Sequence, residues 1–282
     1  MADAISAAAG PEVVDVAPGL AARLQGEGAR VLWLHGYTLD SSSWREMWRR
    51  LPGWCHVGLD LPGHGRSAPI GADDDLHSLG RRVADLCVRL EIRHIVALSF
   101  GTLTATQVVI EEPGYFRSLV LGAPALSGGP QDPDVGLAYT RLALLHRGGA
   151  DARRMRDAWM SCIAWNGIEK DPALREDLGA LVERHAWREL EDWAMVRLMR
   201  PPHREEDLRG IRTPTLVLVG EHDLPAFRSS AEMLEANVPG CRRVELPGTH
   251  HLCMLESPGL AEGPIREHLL THAALRAEDG QR

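Results

Sequence analysis

The feature that most constrains the fold is a regular alternation of short apolar runs with longer amphipathic segments. Runs rich in Val, Leu and Ile, each bounded by turn residues, are typical of strands that helices cover on both faces of a sheet. The pattern therefore predicts an α/β protein with a mostly parallel sheet. Two earlier segments, residues 13–16 and 20–24, are more polar and are predicted to be antiparallel edge strands. The predicted inner strands are residues 31–34, 56–59, 94–98, 118–121 and 215–219.

The strand pattern stops in the middle of the chain, after residue 127. Four helical segments replace it, with Gly- and Pro-rich stretches on either side. We interpret residues 128–204 as a helical insertion in one α/β domain, which is formed by residues 1–127 and 205–282. The first ten residues lack the basic and apolar regions of a signal peptide and are expected to be a flexible leader. The predicted helices of the insertion are residues 135–145, 151–163, 172–185 and 188–199.

Composition argues against several classes of protein. The net charge of -8 over 282 residues argues against nucleic-acid binding, which usually needs a basic patch. The five cysteines form no C-x-x-C pair, which favours reduced thiols in the cytoplasm, and no apolar run is long enough to span a bilayer. The sequence has no phosphate loop, dinucleotide fingerprint or metal-binding spacing. We expect a cytoplasmic monomer or homodimer that acts on a small molecule without a cofactor or a metal ion.

Ser99 lies in residues 97–101, A-L-S-F-G, between a predicted strand and a predicted helix. The segment resembles the nucleophile elbow of the α/β-hydrolase family, G-x-S-x-G, in which small flanking residues let the strand turn sharply into the helix. Ala97 stands where glycine is usual. The resemblance implies that Ser99 is the nucleophile of a serine hydrolase with the α/β-hydrolase fold, a mostly parallel twisted sheet flanked by helices. By residue type alone, Ser99 also fits a helix cap.

A second segment, His35-Gly36-Tyr37, ends a predicted strand and resembles the loop that supplies one oxyanion donor in this family. The resemblance implies that the backbone N–H groups of Tyr37 and Phe100 form the oxyanion hole. His35 is then expected to brace the loop and to take no part in the chemistry.

A serine hydroxyl needs a base within hydrogen-bond reach and an acid that orients the base. The family's chain order of Ser, acid and His implies that Asp223 is the acid, because it follows the predicted strand at 215–219. Glu221 lies two residues earlier, where the chain is expected still to be leaving the strand. His250 and His251 compete for the role of base. The family's spacing to a following Glu and Pro selects His251, and His250 then stands where glycine is usual.

In this family an insertion after the sixth strand commonly forms a cap over the active site, so residues 128–204 are predicted to be a helical cap. Its large apolar side chains are most often packing residues, but they also suit a small apolar or aromatic substrate. They are Trp159, Trp165, Trp187, Trp193, Met155, Met160, Met195 and Met199. The resemblance implies a carboxylic-ester or thioester hydrolase with an acyl-enzyme intermediate. The same triad also fits a carbon–carbon bond hydrolase or lyase, a cofactor-free perhydrolase, or a non-catalytic ligand-binding homologue.

Overall fold

In the part of the chain that the structure describes, eight strands form one sheet. The computed structural model describes residues 13–191 and 194–273, so the predicted leader and Trp193 lie outside the described residues. The strands are β1 (Val13–Ala17), β2 (Leu20–Gln25), β3 (Ala29–Leu34), β4 (Trp54–Leu59), β5 (His94–Leu98), β6 (Ser118–Gly122), β7 (Thr215–Gly220) and β8 (Arg242–Leu246). Their order is β1-β2-β4-β3-β5-β6-β7-β8. β2 is antiparallel to β1 and β4, and the other neighbours are parallel, which confirms the predicted sheet.

Seven of these strands were predicted to within two residues at each end, but β8 was not predicted. β8 is the outermost parallel strand, and its sequence places Val244 between arginines and Glu245. An edge strand has solvent on one side, so it tolerates charged side chains that an inner strand does not. For this reason β8 lacks the continuous apolar run by which the inner strands were recognised.

The helices are α1 (Arg45–Arg50), α2 (Leu76–Arg89), α3 (Phe100–Glu111), α4 (Pro133–Arg147), α5 (Ala152–Met160), α6 (Pro172–Arg184), α7 (Ala194–Leu198), α8 (Glu205–Gly210), α9 (Pro225–Asn237), α10 (Cys253–Glu256) and α11 (Pro258–Ala273).

Alternate residues of the inner strands face two separate hydrophobic cores, because successive side chains of a strand point to opposite faces of the sheet. Trp33 and Val96 face the core that α1 and α11 cover. Leu32 and Ile95 face the core that α2, α3 and α9 cover.

Residues 128–204, which we call the helical segment, lie between β6 and β7 and contain α4 to α7. The first three predicted helices of this segment correspond to α4, α5 and α6. The prediction of one helix over 188–199 is wrong, because the chain forms a 3-10 turn at Arg188–Leu190 and a separate α7. That turn follows Trp187, whose φ of +58° interrupts helical geometry, and Glu189 points into the interior, where it is only 3% exposed.

Within the described residues, no helix combines the length and the apolar character needed to cross a membrane. All five cysteines are free thiols, and four of them are buried. The sheet and its helices therefore hold together through packing and hydrogen bonds, without a covalent crosslink between these residues.

Candidate active site

The loops that follow β5, β7 and β8 bring Ser99, Asp223 and His251 together at one edge of the sheet. Parallel strands end at the same edge, so residues far apart in the chain meet there. Ser99 follows β5 directly, Asp223 lies three residues beyond β7, and His251 follows β8. All three residues are buried, with exposed fractions of 9%, 5% and 5%.

Ser99 occupies a strained turn between β5 and α3. Its φ of 50° and ψ of −119° are unfavourable for a residue with a side chain. A Cβ atom at Gly101 would lie 2.6 Å from the carbonyl oxygen of Leu34 and 2.7 Å from that of His35. Glycine at 101 is therefore needed for the close approach of α3 to the end of β3. Ala97, the departure from the family motif, lies fully buried within β5, where its methyl group is accommodated.

The Ser99 hydroxyl does not cap α3, because it makes no hydrogen bond to the first turn of the helix. Ser99 Oγ lies 2.8 Å from His251 Nε2 instead. On the other side of the imidazole, His251 Nδ1 lies 2.9 Å from Asp223 Oδ1, which also accepts a hydrogen bond from the Leu224 N–H at 2.8 Å. With its proton on Nδ1, His251 donates to the carboxylate and offers Nε2 as a base to the hydroxyl.

Glu221 and His250, the other candidates for the acid and the base, make hydrogen bonds to groups outside the triad. Glu221 accepts a hydrogen bond from the Gly248 N–H at 2.8 Å and is 46% exposed at its side chain. His250 turns toward Glu256: its backbone N–H donates to Glu256 Oε1 at 2.6 Å, and its Nδ1 lies 3.4 Å from Oε2. Burial raises the pKa of Glu256, and the His250 N–H partly opposes that shift. Glu256 thus anchors the loop that carries His251.

Sequence reasoning missed one further residue that shapes the site, Gly220 at the end of β7. A Cβ atom there would lie 2.2 Å from the carbonyl oxygen of His250 and 2.7 Å from that of Thr249. The histidine loop can therefore pack against the end of β7 only because residue 220 has no side chain. The available signal was a glycine at the end of the predicted strand, three residues before the predicted acid.

The loop after β3 lies against Ser99. A Cβ atom at Gly36 would be 3.6 Å from the Ser99 Cβ. Among the described residues, neither the Tyr37 N–H nor the Phe100 N–H donates to a backbone or side-chain acceptor. His35 braces the loop, because its Nε2 accepts from the Leu61 N–H at 3.0 Å and its Nδ1 lies 2.9 Å from the Gly36 carbonyl oxygen. Burial lowers the pKa of His35, which favours its neutral form.

A cavity of about 260 Å³ opens above Ser99 and His251, between the sheet edge and the helical segment. Among the described residues, its wall is largely apolar and contains no lysine or arginine, and Asp132 is its one carboxylate. Of the tryptophans singled out from the sequence, Trp159 and Trp165 line this cavity, whereas Trp187 packs behind it. The other apolar and aromatic wall residues include Tyr37, Leu103, Val135, Tyr139, Met195, Met199, Phe227 and Leu252.

Comparison with known proteins agrees with this architecture. Residues 31–261 match the model of the alpha/beta hydrolase family. The chain is 24% identical over 248 residues to monoacylglycerol lipase abhd6-A of Xenopus laevis, an alignment that covers 83% of this chain and 73% of the lipase. It is 25% identical over 236 residues to the pimeloyl-(acyl-carrier protein) methyl ester esterase of Aeromonas hydrophila, with 83% of this chain and 92% of the esterase covered.

Among solved structures, a hydrolase from Pseudomonas aeruginosa PA01 shares the fold with a TM-score of 0.77, at 22% identity, over 93% of this chain and 99% of that chain. The family match spans β4 to β8 and most of β3, and it includes Ser99, Asp223 and His251. Since the match covers far more than half of the sequence, the chain belongs to the alpha/beta hydrolase family.

Proposed function

We propose that the protein is a serine hydrolase that cleaves a small, uncharged carboxylic ester or thioester through an acyl-enzyme intermediate. The observation that carries the proposal is the connected series of contacts from Ser99 Oγ to His251 Nε2, at 2.8 Å, and from His251 Nδ1 to Asp223, at 2.9 Å, on the wall of an apolar cavity. The helical segment acts as a cap, because α4, α5 and α7 supply much of that cavity's wall. The two curated relatives named above are an esterase and a lipase, which supports an ester as the bond cleaved.

In the first half of the reaction, His251 Nε2 takes the proton of Ser99 as Oγ attacks the carbonyl carbon. The carbonyl oxygen becomes an oxyanion, which the N–H groups of Tyr37 and Phe100 stabilise. His251 then returns the proton to the leaving alkoxide, the alcohol departs, and the acyl group remains on Oγ. Asp223 orients the imidazole and stabilises its positive charge throughout.

In the second half, a water molecule gives a proton to His251 Nε2 and attacks the acyl carbon. The same two N–H groups stabilise the second oxyanion. His251 then protonates Ser99 Oγ as the bond to the acyl carbon breaks, so the carboxylic acid leaves and the free enzyme is restored. No group outside the chain, the ester and water is needed.

The cavity determines which esters fit. Its volume of about 260 Å³ lies below the range of roughly 300–1,000 Å³ that is typical for larger ligands. We therefore expect faster hydrolysis of p-nitrophenyl butanoate than of p-nitrophenyl hexadecanoate. An acyl chain that ends in a carboxylate should react slowly, because the part of the wall that the structure describes offers no lysine or arginine to pair with it and includes Asp132.

The test is covalent labelling of Ser99 with a fluorophosphonate, together with hydrolysis of p-nitrophenyl butanoate. Ser99→Ala should abolish labelling and reduce kcat by roughly 10⁶-fold, the loss expected when the serine of such a triad is removed. Ser230→Ala is the matched control, since Ser230 is also buried but its hydroxyl donates to the Ala226 carbonyl in α9. Labelling of the Ser99→Ala protein, or failure of the wild-type protein to label, would contradict the proposal.

A further inference from the structure

A buried carboxylate in the cap contacts the loop that carries the proposed oxyanion donor. The hydroxyl of Tyr37 donates to Glu189 Oε1 at 2.6 Å, and His185 Nε2 lies 2.9 Å from the same oxygen. The side chains of His185 and Glu189 are 2% and 1% exposed. Glutamate is almost never fully buried unless it is paired, and this one lies outside the triad. The proposed chemistry gives Glu189 no role that accounts for this burial.

Local structure holds Glu189 in this inward position. Trp187 adopts a φ of +58°, and the 3-10 turn at Arg188–Leu190 follows it. A left-handed conformation is unfavourable for a residue with a large side chain, so the surrounding contacts must stabilise it. His185, which precedes the turn, contacts the carboxylate and packs edge-on against Trp187, with ring centroids 4.9 Å apart. The turn and the imidazole together direct Glu189 at Tyr37.

The electrostatic environment keeps this contact charge-assisted. Burial alone would raise the pKa of Glu189, but the hydrogen bonds from His185 and Tyr37 and the nearby imidazole together lower it. Burial, reinforced by the Glu189 charge, raises the pKa of Tyr37 well above its ordinary value. The tyrosine is therefore a neutral donor and Glu189 an ionised acceptor. Hydrogen bonds of this kind are about twice as strong as those between neutral groups.

Aromatic rings from the helix after β5 and from the helical segment also enclose Tyr37. Its ring lies edge-on to Phe100 of α3, at a centroid distance of 6.0 Å, and to Trp159 of α5, at 5.4 Å. Trp159 Nε1 in turn donates to the hydroxyl of Thr38 at 2.9 Å. Thr38 has a φ of 65°, so the loop turns sharply just after Tyr37. The cap therefore contacts two consecutive residues of the loop.

We infer that Glu189 is a positioning residue, which holds the Tyr37 side chain so that the Tyr37 backbone N–H faces the carbonyl oxygen of a substrate on Ser99. This inference rests on the proposed function. It makes oxyanion stabilisation depend on contact between the cap and the sheet, although Glu189 itself touches no reacting atom. A donor that acts on the oxyanion stabilises the transition state more than bound substrate, so its misplacement lowers kcat and leaves KM nearly unchanged.

Tyr37→Phe is the most direct test, because it removes the hydroxyl that contacts Glu189 but keeps the ring and the backbone N–H. Loss of a whole oxyanion donor costs about 10²–10³-fold in kcat. For a donor that is displaced but still present we expect a smaller loss, about 10- to 100-fold. Glu189→Ala should lower kcat to a similar extent, and the double variant should be no slower than the slower single variant. Glu189→Gln keeps an oxygen acceptor for Tyr37 and should recover most of the activity.

Inhibition by an alkyl trifluoromethyl ketone separates positioning from a merely structural role. Such a ketone adds to Ser99 Oγ and forms a tetrahedral oxyanion, so its Ki should rise by the same factor by which kcat/KM falls. Glu191→Ala is the matched control, since Glu191 lies two residues away with a side chain that is 62% exposed, and its kinetics and Ki should match the wild type. A lower melting temperature of Glu189→Ala would not by itself change Ki and kcat/KM by the same factor.

The outcomes distinguish this inference from the proposed function. If the wild-type protein fails to label with fluorophosphonate, the proposed function itself is wrong. If the wild type labels but Tyr37→Phe keeps wild-type kcat and Ki, Glu189 has no positioning role. A raised KM at unchanged kcat would also overturn the inference, because it would show that Tyr37 contributes to substrate binding alone.

Discussion

We expect His94→Gln to make the protein more resistant to mild acid than the wild type, although it alters a buried residue. His94 is 1% exposed, on β5, and its Nδ1 lies 2.8 Å from the Ser118 hydroxyl. Burial, and to a smaller extent the nearby Arg117, His268 and His272, lower the pKa of His94 to about 4. The folded protein therefore keeps this imidazole neutral where the unfolded chain would protonate it.

The magnitude follows from the two pKa values. The ordinary value for histidine is 6.5 and the folded value is about 4, so the unfolded state binds more protons between these limits. The free energy of unfolding must then fall as the pH decreases through 6.5 toward 4. At pH 5 protonation of the unfolded imidazole costs the folded state about 2 kcal/mol, whereas at pH 7.5 the cost is close to zero.

Glutamine can occupy a similar volume and contact Ser118, but it does not titrate. The difference in unfolding free energy between His94→Gln and the wild type should therefore shift by about 2 kcal/mol in favour of the variant between pH 7.5 and pH 5. Urea unfolding followed by circular dichroism at pH 7.5, 6.5, 5.5 and 5.0 measures this shift. Any loss of packing that is common to all pH values cancels from it.

Thr215→Val is the matched control. Thr215 is equally buried, lies on β7, and donates its hydroxyl to the Thr213 carbonyl oxygen, but it carries no titratable group. Its substitution should change the unfolding free energy by the same amount at every pH. If the difference between His94→Gln and the wild type were also independent of pH, the argument from burial would be refuted.

Two further predictions concern the site. Gly101→Ala should place a methyl group 2.6 Å from the Leu34 carbonyl oxygen, so the turn between β5 and α3 must shift, and we expect a loss of about 1–3 kcal/mol in unfolding free energy and about 100-fold in kcat. Gly263→Ala is the control, because Gly263 lies on α11 with no atom outside the helix within 4 Å of the added methyl group, and unfolding and kinetic assays should show an unfolding free energy and a kcat close to those of the wild type. Asp223→Asn should lower kcat by about 10⁴-fold with little change in melting temperature, because the amide favours the wrong tautomer of His251; retention of wild-type kcat would exclude Asp223 as the acid.

The inner strands could be predicted from the sequence because their signal is local. Each of β3 to β7 is a short apolar run, and a strand covered on both faces has almost no other composition available. The candidate triad could also be predicted, since its residues follow strand ends in a set chain order and carry distinctive side chains. The predictions of Ser99, Asp223 and His251 depended on motifs of only a few residues each.

Other features depend on contacts between distant parts of the chain. The charged edge strand β8 is recognisable only from its pairing with β7. In the sequence, Glu189 falls within a predicted amphipathic helix, where a glutamate would normally face solvent. Its burial depends on Tyr37, which lies 152 residues earlier, and on the left-handed conformation of Trp187.

The sequence by itself therefore determined the class of fold and a candidate set of residues for the chemistry, because apolar periodicity and short motifs act over a few residues. Only the tertiary structure decided that His250 pairs with Glu256 and that Trp159 and Trp165, but not Trp187, line the cavity. It also decided which buried histidines become sensitive to pH. These properties depend on what surrounds a side chain, and that is set by packing between elements that the chain brings together from far apart.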